Sequence, residues 1–328
     1  EHNIDRYSRT PVFGIVVLGS TGEAVMLSDE ERHEVLRESA AACSAEKVLV
    51  AGTGCESAIE TLKLTEFAAA CGYDVALVRT PHFYRPQLTQ GEAGAKAQLA
   101  FYRFVADRSP IPVALYSVPP FTAYDLPVEV VAELADHPNI VGLKESSGKV
   151  DRVAELIART RNAKKTFTVT TKFEAATSRM LRPAAEQSPD ALVQIGNGEG
   201  SLATATPTTI RTRTKEVSFQ ILVGAAHTLH DSLQVGASGA VLAFADPAPT
   251  ACFEVYAAWK DNDQALAALK QERITEPSRQ MAAKFGVPGV KYAMDLNGYY
   301  GGDCRLPLLP LTGEDKNAIE KLMQEIRN

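Results

Sequence analysis

The stretch NIVGLKESSG at positions 139–148 decides the fold class. Residues 140–143 are apolar or tiny, and they lead directly into Lys144 and a short polar turn. A helical pattern comes next, with apolar residues at Val150, Val153, Leu156 and Ile157. The pattern therefore predicts that Lys144 ends a short buried strand that runs into a helix. In parallel α/β folds, this is the edge of the sheet that carries the ligand.

A lysine at this position has two interpretations. Burial lowers the pKa of an ammonium group, and the resulting neutral amine can attack a ketone to form a Schiff base. Alternatively, a strand-end lysine reaches out to solvent or pairs with the neighbouring Glu145. Taken alone, the segment favours the second interpretation.

The same unit recurs along the chain. Seven short apolar segments each precede a helical pattern, at about positions 13–18, 48–52, 75–78, 112–116, 140–144, 219–224 and 239–243. This alternation predicts parallel βαβ units, and the number of units favours an α/β fold of the TIM (β/α)₈ barrel type over an open sheet. A closed barrel needs eight strands, so we expect the barrel to lack its first strand, which belongs before residue 1.

Polar residues ahead of the helical patterns predict helix caps. Ser28 with Glu31, Ser57 with Glu60, and Thr89 with Glu92 have the spacing of capping boxes. The pair at positions 246–247, Asp-Pro, is also interpreted as a cap that begins a helix.

Two regions lie outside the alternation. Residues 163–216 are rich in Thr, Pro and Gly, and connections of this length are usually functional or disordered. Their basic run at 211–215 favours a solvated surface over an anion site; whether this insert supplies a further strand stays open. Beyond about 259 the pattern is helical. We therefore predict a barrel at 1–258, with the insert at 163–216, and a C-terminal helical domain at 259–328.

Composition excludes several classes of partner. The 328 residues carry a net charge of −6 with a pI of about 5.6, which does not support binding to nucleic acid or to an anionic membrane. No apolar run is long enough to span a bilayer. Five cysteines lie scattered without C-x-x-C spacing, and six histidines are dispersed. We predict reduced thiols, no zinc or other metal site, and a cytoplasmic protein, or one of the mitochondrial matrix if the source is eukaryotic.

Strand ends of a parallel barrel converge on one face, so their polar residues are candidates for one site. The candidates are Ser20, Thr21, Tyr84, Tyr116, Lys144, Ser146 and Gly224. The hydroxyls and backbone N–H groups of the Gly-flanked turn at 20–21 can hold a carboxylate. Tyr116 can relay a proton to a reacting oxygen, and Lys144 can supply an amine. Each motif alone is explained by a turn or a strand end, but the combination favours a catalytic site.

Three motifs in register resemble one family: Gly-Ser-Thr-Gly-Glu at 19–23, Tyr-Ser-Val-Pro at 116–119 and Gly-Leu-Lys-Glu at 142–145. They look like the signatures of the dihydrodipicolinate synthase/N-acetylneuraminate lyase family, over about residues 3–160 and 217–326. The resemblance implies a (β/α)₈ barrel with a C-terminal helical domain, a homotetramer or homodimer, and a class I lyase acting on a 2-oxo acid without a cofactor. It also implies a Schiff base on Lys144, proton relay by Tyr116, carboxylate binding at Ser20 and Thr21, and Tyr84 completing the relay of a neighbouring subunit.

Within the family, the stretches at 51–57, 115–119 and 298–305 are most similar to 4-hydroxy-2-oxoglutarate aldolase. The lysine-biosynthetic branch usually carries arginine five residues after the relay tyrosine, whereas this chain has Phe121, which cannot make a bidentate contact to a carboxylate. We expect cleavage of 4-hydroxy-2-oxoglutarate to pyruvate and glyoxylate. The alternatives are condensation of pyruvate with aspartate semialdehyde, a non-catalytic homologue that binds a keto acid, and a phosphate-binding barrel isomerase.

Overall fold

Seven parallel strands form one curled sheet in a computed structural model that describes residues 1–171, 175–181 and 211–326. Nine strands lie in these ranges: β1 (Gly14–Val17), β2 (Val48–Gly52), β3 (Val75–Arg79), β4 (Val113–Ser117), β5 (Ile140–Glu145), β6 (Lys164–Thr170), β7 (Thr212–Ser218), β8 (Gln220–Val223) and β9 (Gly239–Ala240). The sheet order is β1-β2-β3-β4-β5-β8-β9. The seven predicted strands are confirmed, and within the described ranges β1 and β9 each pair with a strand on one side only.

Helices follow the strands and cover the outer face of the sheet. In chain order they are α1 (His2–Ser8), α2 (Asp29–Ala42), α3 (Ala58–Cys71), α4 (Arg85–Leu88), α5 (Gly91–Arg108), α6 (Pro119–Thr122), α7 (Val128–Ala135), α8 (Val150–Thr160), α9 (Ser178–Leu181), α10 (Leu229–Gln234), α11 (Pro249–Lys260), α12 (Gln264–Gln280), α13 (Gly286–Leu296) and α14 (Gly313–Leu322). A single π turn, Met281–Phe285, separates α12 from α13. None of the described helices combines the length and apolarity needed to cross a bilayer.

Side-chain alternation along the strands separates an outer core from an inner face. Leu115 and Leu143 are fully buried against the helices, in the main hydrophobic cluster. Tyr116 belongs instead to a small inner cluster with Leu77 and Val118. Because successive side chains of a strand point to opposite faces, Lys144 shares the inner face with Tyr116.

The predicted helix caps have mixed outcomes. Ser28 and Glu31 form the complete capping box of α2, and the Ser57 hydroxyl caps α3 by accepting from the Glu60 N–H. The box predicted at Thr89 is wrong, because α5 begins after Gln90, whose side chain makes no cap. The cap predicted at Asp246 is also wrong. Helix α11 starts two residues later, at Pro249, which tolerates the first helical position because its missing N–H would have no partner there.

The described parts of the insert include a separate antiparallel pair of strands. Strands β6 and β7 pair over their full length, from Lys164 opposite Ser218 to Thr170 opposite Thr212. They make a two-stranded sheet of their own, so they do not stand in for the eighth strand of the barrel. The basic run 211–215 lies exposed along this pair of strands, as predicted. The remainder of the insert, 172–174 and 182–210, lies outside the described residues.

The C-terminal helices pack back onto the sheet and its helices. Helix α12 lies against α11, and α14 lies against α12 and α13. The predicted boundary at 258–259 falls inside α11, and the division into two domains stays a prediction. The Lys291 ammonium of α13 contacts the Glu23 carboxylate at 2.7 Å, which joins the C-terminal helices to the turn after β1.

Candidate active site

Lys144 and Tyr116 meet at the inner face of the sheet. Their Cα atoms are register partners between β4 and β5. The Lys144 Nζ atom lies 4.4 Å from the centre of the Tyr116 ring, within the range of a cation–π contact. Tyr116 is buried, and its hydroxyl lies 3.3 Å from the Ser20 hydroxyl. Three predicted site residues, from the ends of three strands, are thus in one chain of contacts.

Glu145, the residue after the lysine, is not its partner. The Glu145 side chain is 1 % exposed and pairs with the Arg152 guanidinium at 2.9 Å. Its other oxygen accepts from the Ser147 N–H at 2.6 Å. Within ranges 1–171, 175–181 and 211–326, no hydrogen bond or ion pair occupies the Lys144 ammonium, so the interpretation of Lys144 as one half of a pair with Glu145 is wrong.

The turn that carries Ser20 and Thr21 is fixed by its own backbone and by Glu23. The Gly22 N–H donates to the Gly19 carbonyl at 3.1 Å, and the Glu23 N–H donates to the Ser20 carbonyl at 3.2 Å. Glu23 has a left-handed backbone with φ of 54°, which is uncommon for a residue other than glycine. A short 3-10 helix at Ala24–Met26 follows the turn.

Asp246 completes the group, and the sequence interpretation missed it. The Lys144 ammonium and the Thr21 hydroxyl both stabilise the charged form of its carboxyl. Burial raises the pKa of this carboxyl from 3.8 to about 7, against the opposing effects of Lys144 and Thr21. The available signal was its position six residues after β9, at the same edge of the sheet as the other strand ends.

Ser146 and Gly224 lie together at the ends of β5 and β8. A side-chain carbon on Gly224 would lie only 1.9 Å from the Ser146 hydroxyl oxygen, so only glycine permits this approach. The Gly224 N–H donates to the Glu145 carbonyl at 2.7 Å. Among the residues that the structure describes, none hydrogen-bonds the buried Ser146 hydroxyl, which leaves it available to a bound oxygen atom.

The structure does not bring Tyr84 to Tyr116. Tyr84 is 67 % exposed, immediately precedes α4 and makes a ring contact with Phe83, at 5.2 Å between ring centres. Phe121 is also exposed, on α6 just beyond β4. The implied function of Tyr84 in a neighbouring subunit therefore stays a prediction. In the described part of the chain, no three His, Cys, Asp or Glu side chains are grouped as metal ligands.

The arrangement provides an amine, a relay of hydroxyl groups and a carboxyl at one end of a parallel sheet. The amine can act as a nucleophile toward a carbonyl carbon, and the tyrosine and carboxyl groups can move protons beside it.

Comparisons with known proteins agree with this architecture. A 4-hydroxy-tetrahydrodipicolinate synthase of Xanthomonas axonopodis pv. citri is 47 % identical over 147 residues, which are 45 % of this chain and 46 % of that relative. The chain thus matches about half the length of that relative. The Methanothrix thermoacetophila synthase is 29 % identical over 324 residues, covering 99 % of this chain and 88 % of the relative.

Solved structures show the same fold. Dihydrodipicolinate synthase of Bacillus anthracis superposes with a TM-score of 0.76 at 21 % identity, covering 99 % of this chain and 90 % of that one. The Acinetobacter baumannii dihydrodipicolinate synthase, in a complex with pyruvate, gives 0.75 at 24 % identity, covering 99 % and 91 %. The dihydrodipicolinate synthetase family matches residues 1–183 and 189–326. The chain therefore belongs to the dihydrodipicolinate synthetase family, a family of lyases and aldolases.

Proposed function

We propose that the chain is a class I lyase that forms a Schiff base between Lys144 and a pyruvate-type 2-oxo acid. The observation that carries the proposal is the Lys144 ammonium beside the ring of Tyr116, whose hydroxyl lies 3.3 Å from the Ser20 hydroxyl. The family membership and the pyruvate complex of the A. baumannii relative support the same chemistry.

The reaction begins with attack of the neutral Lys144 amine on the ketone carbon C2. The carbonyl oxygen takes up protons and leaves as water, and a protonated imine remains. The Tyr116 relay takes the proton of the C4 hydroxyl, and the imine withdraws the electron pair of the adjacent C3–C4 bond as that bond breaks, so an enamine and an aldehyde form. Protonation of the enamine at C3 and hydrolysis of the imine release pyruvate and restore the amine.

Each neighbouring group has a function in this sequence. The Tyr116 hydroxyl, linked to Ser20, moves protons to and from the reacting oxygen atoms. Ser20 and Thr21 bind the carboxylate of the 2-oxo acid, and the Ser146 hydroxyl, next to Gly224, is a further donor to the substrate.

The exposed Tyr84 acts in the relay of a neighbouring subunit of a homotetramer or homodimer. None of the five cysteines, all of which lie in the described ranges, forms a disulfide, which supports a reducing compartment such as the cytoplasm.

The proposed substrate is 4-hydroxy-2-oxoglutarate, cleaved to pyruvate and glyoxylate. Phe121 stands where an arginine would hold the carboxylate of a larger aldehyde, and its exposed ring offers no charged hydrogen bond. The second candidate is condensation of pyruvate with aspartate semialdehyde, which the names of the similar synthases favour. The two candidates share the imine and the enamine on Lys144, and they differ in the aldehyde and in the direction of the carbon–carbon step.

Reductive trapping tests the shared chemistry. The protein is incubated with pyruvate and borohydride, digested, and the adduct is located by mass spectrometry. We expect one adduct on Lys144 and none in the Lys144→Arg variant, because a guanidinium stays protonated. Lys149→Arg is the matched control, since Lys149 is exposed in the following turn and pairs with Asp125 at 3.3 Å. Trapping on another lysine, or on none, would contradict the proposal.

Comparison of kcat/KM on one preparation separates the two substrates. A missing charged hydrogen bond weakens binding by roughly 1.5–3 kcal/mol. We therefore expect 4-hydroxy-2-oxoglutarate cleavage to exceed condensation with aspartate semialdehyde by about tenfold or more. Phe121→Arg should raise the second activity. Equal values would favour the second candidate and a different basic residue, with Arg85 the first to test.

A further inference from the structure

We propose that Arg79 binds the carboxylate on the aldehyde half of the substrate, which is the group at C5 of 4-hydroxy-2-oxoglutarate. This inference rests on the proposed Schiff-base chemistry and adds to it a residue that determines which aldehyde is accepted. Phe121 supplies no charge for this carboxylate, so another residue has to hold it. Neither the strand pattern nor the family motifs singled out Arg79.

Arg79 stands in one row with the two reactive residues of the site. Its Cα atom is the register partner of Tyr116, whose Cα atom is in turn the partner of Lys144. Leu77 belongs to the inner cluster and Val78 to the outer core, so the alternation of β3 directs Arg79 to the inner face. Lys144, Tyr116 and Arg79 therefore follow one another across three neighbouring strands on one face of the sheet.

The order of this row matches the order of the groups on the substrate. C2 is bonded to Lys144, the C4 hydroxyl gives its proton to the Tyr116 relay, and the carboxylate at C5 is the next group along the carbon chain. Two strand spacings, about 10 Å, separate the Cα atoms of Arg79 and Lys144. Both side chains are long and leave the same curled face, so their charged ends can reach two parts of one small dicarboxylate on either side of Tyr116.

Arg79 is an unusual residue for its position. It and Lys144 are the only basic residues in the seven strands of the described parallel sheet. The Arg79 side chain is 14 % exposed, and a cation so far removed from water is costly unless its charge is matched. That match is weak, because the guanidinium lies 3.4 Å from the Glu56 carboxylate and 3.4 Å from the Gly54 carbonyl, near the outer limit of hydrogen bonding.

The nearest partner of Arg79 is His82, which is shared with Glu56. The His82 Nδ1 atom lies 2.5 Å from Arg79 Nη1 and 2.6 Å from one Glu56 oxygen. A single ring nitrogen either accepts from the guanidinium or donates to the carboxylate. The other Glu56 oxygen accepts from the backbone N–H groups of His82 and Phe83, at 2.8 and 2.9 Å. When His82 donates to Glu56, Arg79 is therefore left without a short hydrogen bond.

One edge of the guanidinium is not occupied by these partners. The contacts to Glu56 and His82 both use Nη1, and Nη2 makes only the 3.4 Å contact to Gly54. The Nε–H of Arg79 donates to no group within residues 1–171, 175–181 and 211–326. Nε–H and Nη2–H are parallel donors that match the two oxygens of a carboxylate. A substrate carboxylate on this edge would supply the short, charged hydrogen bonds that the described protein groups do not.

Two substrates that differ only at C5 test the inference. 4-Hydroxy-2-oxoglutarate has a carboxylate at this carbon, and 4-hydroxy-2-oxopentanoate has a methyl group. The measurement is kcat/KM for cleavage of each by the unaltered protein, in which we expect a preference for the carboxylate substrate, and by Arg79→Gln. The variant should lower kcat/KM for the carboxylate substrate by roughly 10–10²-fold, the effect of losing a charged hydrogen bond. Its kcat/KM for the methyl substrate should stay close to that of the unaltered protein.

Two further variants complete the experiment. Arg103→Gln is the matched control and should leave both values unchanged, because Arg103 is an exposed arginine of α5 that pairs with Glu133 of α7 at 2.5 Å. Arg79→Lys keeps a cation in the row and tests the inference if Arg79→Gln fails to fold, as judged by circular dichroism. Lysine cannot make two parallel bonds to a carboxylate, so the preference for the carboxylate substrate should fall in this variant too.

An unchanged preference in a folded Arg79 variant would overturn the inference. An equal loss on both substrates would also overturn it, since Arg79 would then have a structural function only. Borohydride trapping of pyruvate on Lys144 separates these outcomes from failure of the proposed function. An adduct together with an unchanged preference, or with no cleavage of either substrate, overturns the inference and leaves the Schiff-base chemistry standing. Absence of an adduct in the unaltered protein would remove the proposed function itself.

Discussion

At the scale of single residues, the chemistry depends on which side of a strand each residue occupies. Leu115 and Leu143 enter the outer core, and their neighbours Tyr116 and Lys144 therefore turn to the inner face. A shift of one residue in either strand would exchange these positions and destroy the site. The apolar residues on the outer face thus hold the reactive residues in place.

Replacement of Tyr116 by phenylalanine tests the relay. The variant keeps the ring beside Lys144 and loses only the hydroxyl near Ser20. We expect kcat to fall by roughly 10²–10⁴ with a smaller change in pyruvate affinity, because the lost group moves protons and does not bind the substrate. Tyr292→Phe, which removes a hydroxyl bonded to Glu320 on the C-terminal helices, is the control. An unchanged kcat in Tyr116→Phe would show that Tyr116 only packs at the strand end and does not relay protons.

The stability of Asp246→Asn should differ from that of the unaltered protein in a pH-dependent way. Folding raises the pKa of Asp246 from 3.8 to about 7, so the folded protein holds this proton more tightly than the unfolded chain. This tighter proton binding contributes to the free energy of unfolding. The contribution is complete below about pH 4 and is lost as the pH rises to about 7. The free energy of unfolding of the unaltered protein, relative to Asp246→Asn, should therefore fall across this range and then level off. Denaturant titrations at several pH values measure it, and a flat difference would contradict the raised pKa.

At the scale of elements, the ends of the strands are held by buried polar contacts. The Glu145 carboxylate of β5 pairs with Arg152 of α8, and the Arg152 guanidinium also donates to the Leu126 carbonyl at 2.5 Å. This pair fixes the end of the strand that carries Lys144 to the loop that follows β4. Because the pair is buried, removal of either partner leaves an uncompensated charge that destabilises the protein.

Arg152→Ala should destabilise the protein strongly. It leaves the buried Glu145 carboxylate without its cation, and such changes lower the free energy of unfolding by about 3–5 kcal/mol. Lys149→Ala removes an exposed partner of Asp125 from the same region and should lose only about 0–1 kcal/mol. Chemical denaturation of both variants measures the contrast. A similar small effect in the two would show that water replaces the guanidinium at Glu145.

The elements were predictable where the signal is local. Apolar segments followed by capped helices gave the seven strands, because both patterns lie within a few residues of sequence. The start of α11 was not predictable, because Pro247 and Pro249 both suit the first turn of a helix and only the packed structure selects between them. That ambiguity also concealed Asp246, which was interpreted as a cap. The pairing of β6 with β7 could not be read from the sequence either, since more than 40 residues separate Thr170 from Thr212.

At the scale of the whole molecule, the site depends on contacts between the two ends of the chain. The C-terminal α13 and the segment after it hold the turn that follows β1. The Glu23 carboxylate accepts from the Lys291 ammonium at 2.7 Å and from the Arg305 backbone N–H at 2.7 Å. Because Glu23 belongs to the same turn as Ser20 and Thr21, the C-terminal helices position the proposed carboxylate-binding hydroxyls from outside the sheet.

Lys291→Met should therefore affect both stability and substrate binding. Glu23 is only 8 % exposed, so loss of its cation should lower the free energy of unfolding by about 3–5 kcal/mol. The turn should also loosen and raise KM for the 2-oxo acid, with a smaller effect on kcat, since Lys144 and Tyr116 lie on other strands.

Arg305→Ala is the matched control for this link. It keeps the backbone N–H that donates to Glu23 and removes only the exposed side-chain pair with Glu31, which contributes about 0–1 kcal/mol. Unfolding titrations and steady-state kinetics on both variants separate the two effects. If Lys291→Met loses stability but binds the substrate as tightly as Arg305→Ala does, the C-terminal helices stabilise the turn without positioning its hydroxyls. If both parameters change in Lys291→Met alone, the link from Lys291 through Glu23 to the Ser20–Thr21 turn is established.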